Sequence, residues 1–325
     1  MSRDESQRGS PGGLTAWLQL IRLPNVFTVL ADVGAAFLLV AGGPHPTLRF
    51  VVVLLAGVAL YWSGMVLNDV FDVEKDRRER SSRPIASGAI SIGSASRAGW
   101  ALLVIGLIFA AISGYLPGGG DSTWLPAVIG ILLAAMIVAY DGPLKSTPLA
   151  PAAMGSCRVL SFLLGASPVL PLVDSMPSIP TYLLGIAFGF GVYVMGITTL
   201  ARDEALGGKS MNLKVGFGVL LVGVILLAVA PDLASAQQSA SWRWPSGQRF
   251  YILIAACALP VTLRGIRLLA SPTGPHLGQT IRVGLLSIIS LSAAFATLGA
   301  GPRCGIAVLA LVVPAMILAT RLRVT

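Results

Sequence analysis

The chain is organised as long apolar runs broken by short polar or glycine- and proline-containing segments. The runs lie near residues 25–41, 50–67, 98–116, 124–140, 152–171, 181–200, 213–230, 249–263, 281–299 and 304–320. Each approaches the roughly 20 apolar residues that a helix needs to cross the hydrocarbon of a bilayer. Lipid offers no partner to backbone N–H and C=O groups, so such runs satisfy them internally as α-helices. The pattern predicts an all-α, polytopic transmembrane helical bundle of nine helices, with 304–320 an open candidate for a tenth at the C-terminal end. Residues 1–14 read as a polar, disordered tail and 15–325 as a single transmembrane domain.

Composition narrows the classes. Of 325 residues 55% are hydrophobic and 11% charged, which excludes an ordinary soluble globule. The net charge of +9 would suit a nucleic-acid partner, but its distribution argues against one. Basic residues gather in alternate connections: Lys75, Arg77, Arg78, Arg80, Arg83 and Arg97; Lys145 and Arg158; Arg202, Lys209 and Lys214; Arg264 and Arg267. The connections around 114–123 and 172–180 carry no Lys or Arg, with Arg243, Arg249 and Arg303 as minor exceptions on that side. The positive-inside bias then puts the N-terminal tail and the basic connections in the cytoplasm. No organelle-targeting presequence is visible, so a prokaryotic inner membrane is expected. Cys157, Cys257 and Cys304 have neither metal-ligand nor disulfide spacing, and His45 and His276 stand alone. The glycines at 118–120 lack the continuation of a phosphate loop and read as a turn.

The informative polar segment is Asn68-Asp69-Val70-Phe71-Asp72-Val73-Glu74-Lys75-Asp76, which follows the second apolar run without Gly or Pro. As a continuous helix it would bring Asp69, Asp72 and Asp76 within an arc of about 60°, with Asn68 in the same row as Asp72 and Asp76. Like charges one turn apart repel, and more strongly near lipid, so such a face calls for a cation. Oxygen ligands select a hard one, and Mg²⁺ fits best because it accepts few carboxylates and bridges to phosphate oxygens. The alternative is a solvated helix end whose acids pair with Lys75, Arg77, Arg78 and Arg80. A dense basic stretch including Arg83 follows, with the charge to clamp an anion such as diphosphate.

Three further clusters lie on the same side: Arg22 and Asn25, Tyr140 to Lys145, and Thr199 to Ser210 with Arg202 and Lys209. Lys145, Arg202 and Arg22 would bind phosphate oxygens. Tyr140, Phe190 and Tyr193 could face a carbocation at roughly 1–2 kcal/mol each, or simply pack.

These residues resemble the UbiA superfamily of intramembrane prenyltransferases from about Arg22 to Ala300. The N-D-x-x-D-x-x-x-D signature is met by Asn68, Asp69, Asp72 and Asp76, and Arg83 to Gly88 is similar to its R-P-x-x-S-G continuation. Tyr140 and Lys145 are similar to a Tyr–Lys motif after the fourth helix. The resemblance implies helices around a central cavity, capped by two Asp-rich segments that hold Mg²⁺ against an isoprenoid diphosphate. The polyprenyl diphosphate then loses diphosphate, and an aromatic or other lipophilic acceptor is alkylated. It implies Asp203 as the surviving acid of the second segment and Asn68, Asp69, Asp72, Asp76 and Asp203 as metal ligands. Here the chain departs from the pattern: Thr199 stands where another acid belongs, and adjacent Glu204 points about 100° away on a helix. A non-catalytic isoprenoid-binding scaffold and a secondary transporter are the competing readings. A CDP-alcohol phosphotransferase would need Gly where Val73 follows Asp72.

Overall fold

The structure, a computed structural model, describes residues 13–118, 121–206 and 210–322, with the backbone alone at 203–206 and 210. The tail 1–12, Gly119, Gly120, the Asp203 and Glu204 side chains, Lys209 and Arg323 therefore lie outside the described residues. A short helix α1 (Gly13–Leu20) starts within the expected tail and is followed by a 3₁₀ turn, Leu23–Asn25. Then come α2 (Val26–Ala41), α3 (Thr47–Phe71), α4 (Val73–Glu79), α5 (Ile92–Ser113), α6 (Leu125–Ala139) and α7 (Ala150–Ala166). A small antiparallel hairpin, β1 (Leu172–Val173) and β2 (Met176–Pro177), pairs Leu172 with Pro177. It leads to α8 (Thr181–Leu206), α9 (Ser210–Val229), α10 (Ala236–Ala240), α11 (Gln248–Ala270), α12 (Gly274–Ala300), α13 (Pro302–Leu309) and α14 (Val312–Leu322).

Among the described residues ten helical segments are long and apolar enough to cross a membrane, and they coincide with the ten apolar runs. The chain is a multi-pass membrane protein. The open tenth segment is present as Pro302–Leu322, broken between α13 and α14. Pro314 explains the break, since its ring collides with the carbonyl four residues earlier.

Burial sorts the spans. In α2 and α12, 72% of the apolar window is buried, against 28% in α5 and α11, so α2 and α12 form the inner staves and the others face lipid. Small residues let the staves close up: a Cβ on Gly165 of α7 would lie 2.2 Å from the Val33 carbonyl oxygen of α2. Phe162, Phe190, Phe250 and Phe295 meet at ring separations of 5.2–6.4 Å and fill the interior between α7, α8, α11 and α12.

The alternating spans leave the starts of α2, α5, α7, α9 and α12 at one end of the bundle, together with the acids of α3. The opposite end is tied by Arg49, which the charge pattern does not single out. Arg49 is 2% exposed; its Nε donates to the Leu116 carbonyl at 2.6 Å and Nη1 to that of Pro168 at 2.8 Å. It joins α3 to the α5–α6 connection and to the end of α7. Arg158 corrects another expectation: it lies inside α7, not beside a connection, because a buried acid of α2 holds it there.

Replacing Arg49 by Leu strands carbonyls in a buried site, at about 1–3 kcal/mol for each left unpaired. Arg49→Leu should lower the thermal unfolding midpoint of the detergent-purified protein by several degrees. An unchanged midpoint would show that the arginine does not tie this end together.

Candidate functional site

Asn68 and Asp69 sit on the last turn of α3, and the expected continuous helix is in fact two helices meeting at Asp72. Asp72 has φ −88° and ψ 0°, while bonds from Asp72 N to the Asn68 carbonyl (3.0 Å) and from Asp76 N to the Asp72 carbonyl (2.8 Å) keep α3 and α4 linked. In one unbroken helix the three carboxylates would repel across a shared face.

Arg83 Nη1 donates to Asp69 Oδ1 at 3.1 Å and to Asp76 Oδ2 at 2.7 Å, and Arg22 Nη2 donates to Asp69 Oδ1 at 3.3 Å. Lys145 is ion-paired with Asp72. Asn68, Asp69 and Asp76 are 7%, 5% and 4% exposed, so these are buried pairs and not a solvated helix end. The solvated description fits Glu74 and Glu79, whose exposed carboxylates face Arg77 and Lys75. Among the described residues no three acids converge at metal-holding separation. Arg83 bridges Asp69 and Asp76, and Lys145 takes Asp72.

Each cation is placed by local structure. Arg83 opens a turn in which Ser87 N bonds the Arg83 carbonyl (2.8 Å) and Ile90 N that of Pro84 (3.1 Å). Ile85 and Ile90 anchor this turn in a small core with Ala16, Leu20, Val66 and Ala95, and Gly88 supplies φ +80°. Arg22 takes a left-handed conformation (φ 47°, ψ 54°), which costs a non-glycine residue about 1–2 kcal/mol. Such strain persists only where the surroundings enforce it, here between α1 and the Leu23–Asn25 turn. Lys145 follows a wide π-type turn, Tyr140–Leu144, in which Pro143 cannot donate to a regular helical ladder.

That turn also buries Asp141, which the sequence did not single out within the Tyr140 to Lys145 cluster. Asn68 Nδ2 donates to Asp141 Oδ1 at 2.7 Å, while Asp141 Oδ2 is buried with no hydrogen-bond partner among the described residues. An Asp-Gly-Pro sequence looks the same whether its carboxylate is solvated or buried, so only the packing of α3 against the turn reveals it.

The other candidates divide. Asn25 closes the turn before α2, its carbonyl accepting from Thr28 Oγ1 at 2.8 Å. Arg202 does not reach the acids; its Nη1 donates to the Thr147 carbonyl at 2.7 Å and pins the end of α8 to the loop carrying Lys145. Thr199 Oγ1 donates to the Met195 carbonyl of its own helix. Phe190 and Tyr193 are packed in the core, Tyr193 Oη donating to the Gly284 carbonyl at 2.9 Å. Tyr140 lines a cavity between α2, α3, α6, α7 and α8, together with Tyr61, Asp141, Cys157, Arg158 and mainly apolar residues such as Leu60, Leu133 and Ile137.

A second buried pair, which sequence reasoning missed, stands in this wall. Arg158 Nη1 donates to Asp32 Oδ2 at 2.5 Å, and Ser161 Oγ (3.3 Å) and Val33 N (2.8 Å) also donate to Asp32. Asp32 lies alone in an apolar run, and its partner is 126 residues away.

Comparison with known proteins bears on the family and the fold. The UbiA prenyltransferase family pattern matches residues 26–275. The chain is similar to digeranylgeranylglyceryl phosphate synthase of Metallosphaera sedula, 31% identical over 41% of this chain and 44% of that one. With the synthase of the same name from Methanopyrus kandleri it is 26% identical over 84% of this chain and 96% of that one. The aligned region spans about half the length of several such relatives, including 46% for Methanobrevibacter smithii and 56% for Methanoculleus marisnigri. The fold is shared with a UbiA homologue from Aeropyrum pernix (TM-score 0.61, 19% identity, covering 84% of this chain and 97% of that one). It is shared too with a UbiA homologue from Archaeoglobus fulgidus bound to GPP and Mg²⁺ (TM-score 0.55, 19% identity, 84% and 99% covered). With 250 of its 325 residues matched, counting from 26 to 275, the chain belongs to the UbiA prenyltransferase family.

Proposed function

We propose that this protein is an integral membrane prenyltransferase that moves an isoprenyl group from a polyprenyl diphosphate to a lipophilic acceptor with the help of Mg²⁺. The observation that carries the reading is the set of Arg22, Arg83 and Lys145 on Asp69, Asp72 and Asp76, joined through the Asn68–Asp141 hydrogen bond to an apolar cavity that Asp141 lines.

The three acids and three bases already cancel, so a diphosphate entering alone would leave the site negative. Entry with a divalent cation restores the balance, and the donor chemistry fits one: carboxylate and amide oxygens, with Asp141 Oδ2 unpartnered close by. Asp69, Asp72 and Asp76 with Asn68 would hold the ion, and Asp203 is the candidate from the second segment. When bound, the ion supplies Lewis-acid neutralisation of the charge that develops on the leaving diphosphate. Arg22, Arg83 and Lys145, released from their carboxylates, bind phosphate oxygens by charge-assisted hydrogen bonds. The C1–O bond breaks with its electron pair left on the diphosphate, the acceptor attacks the allylic carbon, and the proton it loses leaves with the diphosphate or to water. The apolar wall keeps water from that carbon, and the Tyr140 ring offers its face to the cation.

Residues 15–325 act as one domain in this reading, with the acid-bearing end in the cytoplasm of a prokaryote and the rest in its inner membrane. Thr199, bonded to its own helix in place of an acid, favours a non-catalytic isoprenoid-binding scaffold as second reading.

Detergent-purified protein should release diphosphate from one or more of a panel of allylic prenyl diphosphates only with Mg²⁺, and Asp72→Ala should abolish it. No release across the panel, with candidate acceptors supplied, would favour the scaffold. Arg83→Gln removes the charge-assisted bond that Arg83 would make to a phosphate oxygen, worth about 1.5–3 kcal/mol, and should raise the KM for the diphosphate roughly tenfold or more. Arg77→Gln, which loses an exposed pair, should not; equal effects would sink the role assigned to Arg83.

A further inference from the structure

The two ends of the described chain meet beside the acid-bearing end of the bundle. α14 packs against the Leu23–Asn25 turn as well as against α1, α2 and α12, and Gln19 Nε2, on the last turn of α1, donates to the Leu322 carbonyl at 3.2 Å. That carbonyl belongs to the last turn of α14, where the final four have no partner within the helix. Gln19 is tied by its backbone too: its carbonyl accepts from Arg22 N at 3.0 Å, and the Arg22 carbonyl accepts from Asn25 N at 2.9 Å. Arg22 therefore stands between two held points, in a left-handed conformation that its surroundings must enforce. α1 is anchored separately by Ala16 and Leu20, which pack in the small core with Ile85 and Ile90. Gln19 and Leu322 both lie outside residues 26–275, the stretch that the family pattern matches.

We propose that Gln19 is a positioning residue and α14 a prop: docking of the C-terminal helix through the Gln19–Leu322 bond holds Arg22 where it meets Asp69, and so sets the affinity of the site for diphosphate. This rests on the reading that makes Arg22 a ligand of the phosphate oxygens. Arg22 depends on a prop more than Arg83 does, since its bond to Asp69 is 3.3 Å long while Arg83 reaches Asp76 at 2.7 Å. Released from the turn, Arg22 would return to a right-handed or extended backbone, and its guanidinium would swing away from the acids. Coupling of this kind is reciprocal. If docking of α14 strengthens diphosphate binding, diphosphate must strengthen the docking of α14 by the same factor.

The test uses the full chain in dodecyl maltoside and four proteins: native, Gln19→Met, Arg22→Gln and the double variant. Methionine keeps the length and neutrality of glutamine but has no N–H to donate. With inorganic diphosphate and Mg²⁺ as the probe, the concentration that half-saturates the rise in unfolding midpoint should be about threefold to tenfold higher in Gln19→Met than in the native chain, the range that one hydrogen bond spans. In diphosphate release from an allylic prenyl diphosphate, KM should rise by a similar factor while kcat stays within about twofold, as expected when binding alone is lost. In the Arg22→Gln background Gln19→Met should add nothing, because its effect passes through Arg22.

The native chain gives a second readout with no variant to fold: bound diphosphate and Mg²⁺ should slow amide hydrogen exchange in residues 21–25 and in residues 313–322 together. Three results would show α14 to be a structural strap only and overturn the proposal: a lowered unfolding midpoint in Gln19→Met with diphosphate affinity unchanged, a loss that adds in full to that of Arg22→Gln, or exchange at 313–322 that ignores diphosphate. Diphosphate release without the coupling defeats this inference alone; coupling to inorganic diphosphate without release from any prenyl diphosphate defeats the transferase reading and leaves a propped anion site. A native chain that does not respond to diphosphate at all overturns both.

Discussion

A carboxylate at the end of a transmembrane helix loses most of its water and needs a cation, a metal or a proton to remain there. Asp69, Asp72 and Asp76 meet that demand with Arg22, Arg83 and Lys145. The local conformations at this end serve the match. Arg22 holds a left-handed backbone, the Arg83 turn is anchored by two isoleucines, and the helix after Ala139 opens into a π-type turn that carries Lys145 to Asp72. A neutral set of this kind is a sound resting state for a site that takes a charged ligand with its own counter-ion, since the same groups can exchange partners without stranding any of them.

The Asp32–Arg158 pair answers the same demand deeper in the bundle. Breaking a buried pair by removing one partner leaves an uncompensated charge, so the two residues constrain α2 and α7 together. The close approach at Gly165 gives those helices the contact that lets the pair form. Arg158 and Ser161 bring this pair to the wall of the mainly apolar cavity that Tyr140 and Asp141 also line.

Much of this was legible in the chain. Backbone groups must be satisfied inside lipid, so hydropathy and length alone located all ten spans, including the tenth. The spacing of Asn68, Asp69, Asp72 and Asp76 marked the acid-bearing end, and the basic residues that hold the acids, Arg22, Arg83 and Lys145, are among those the sequence singles out as anion binders. Less legible were the break at Asp72 and the bond from Arg202 to the Thr147 carbonyl, which depend on neighbours far along the chain.

Local rules determined the spans, their alternation and the end at which charge collects, because those follow from periodicity and transfer free energy along one segment, while the tenth span stayed open. Only the tertiary structure decided which acid meets which base, that Arg158 belongs to Asp32 and not to a loop, that Phe190 and Tyr193 pack away from the cavity, and that one oxygen of Asp141 is left bare. Those outcomes hang on contacts between residues far apart in the chain, such as the 73 positions between Asn68 and Asp141, and no local pattern encodes a partner at that range.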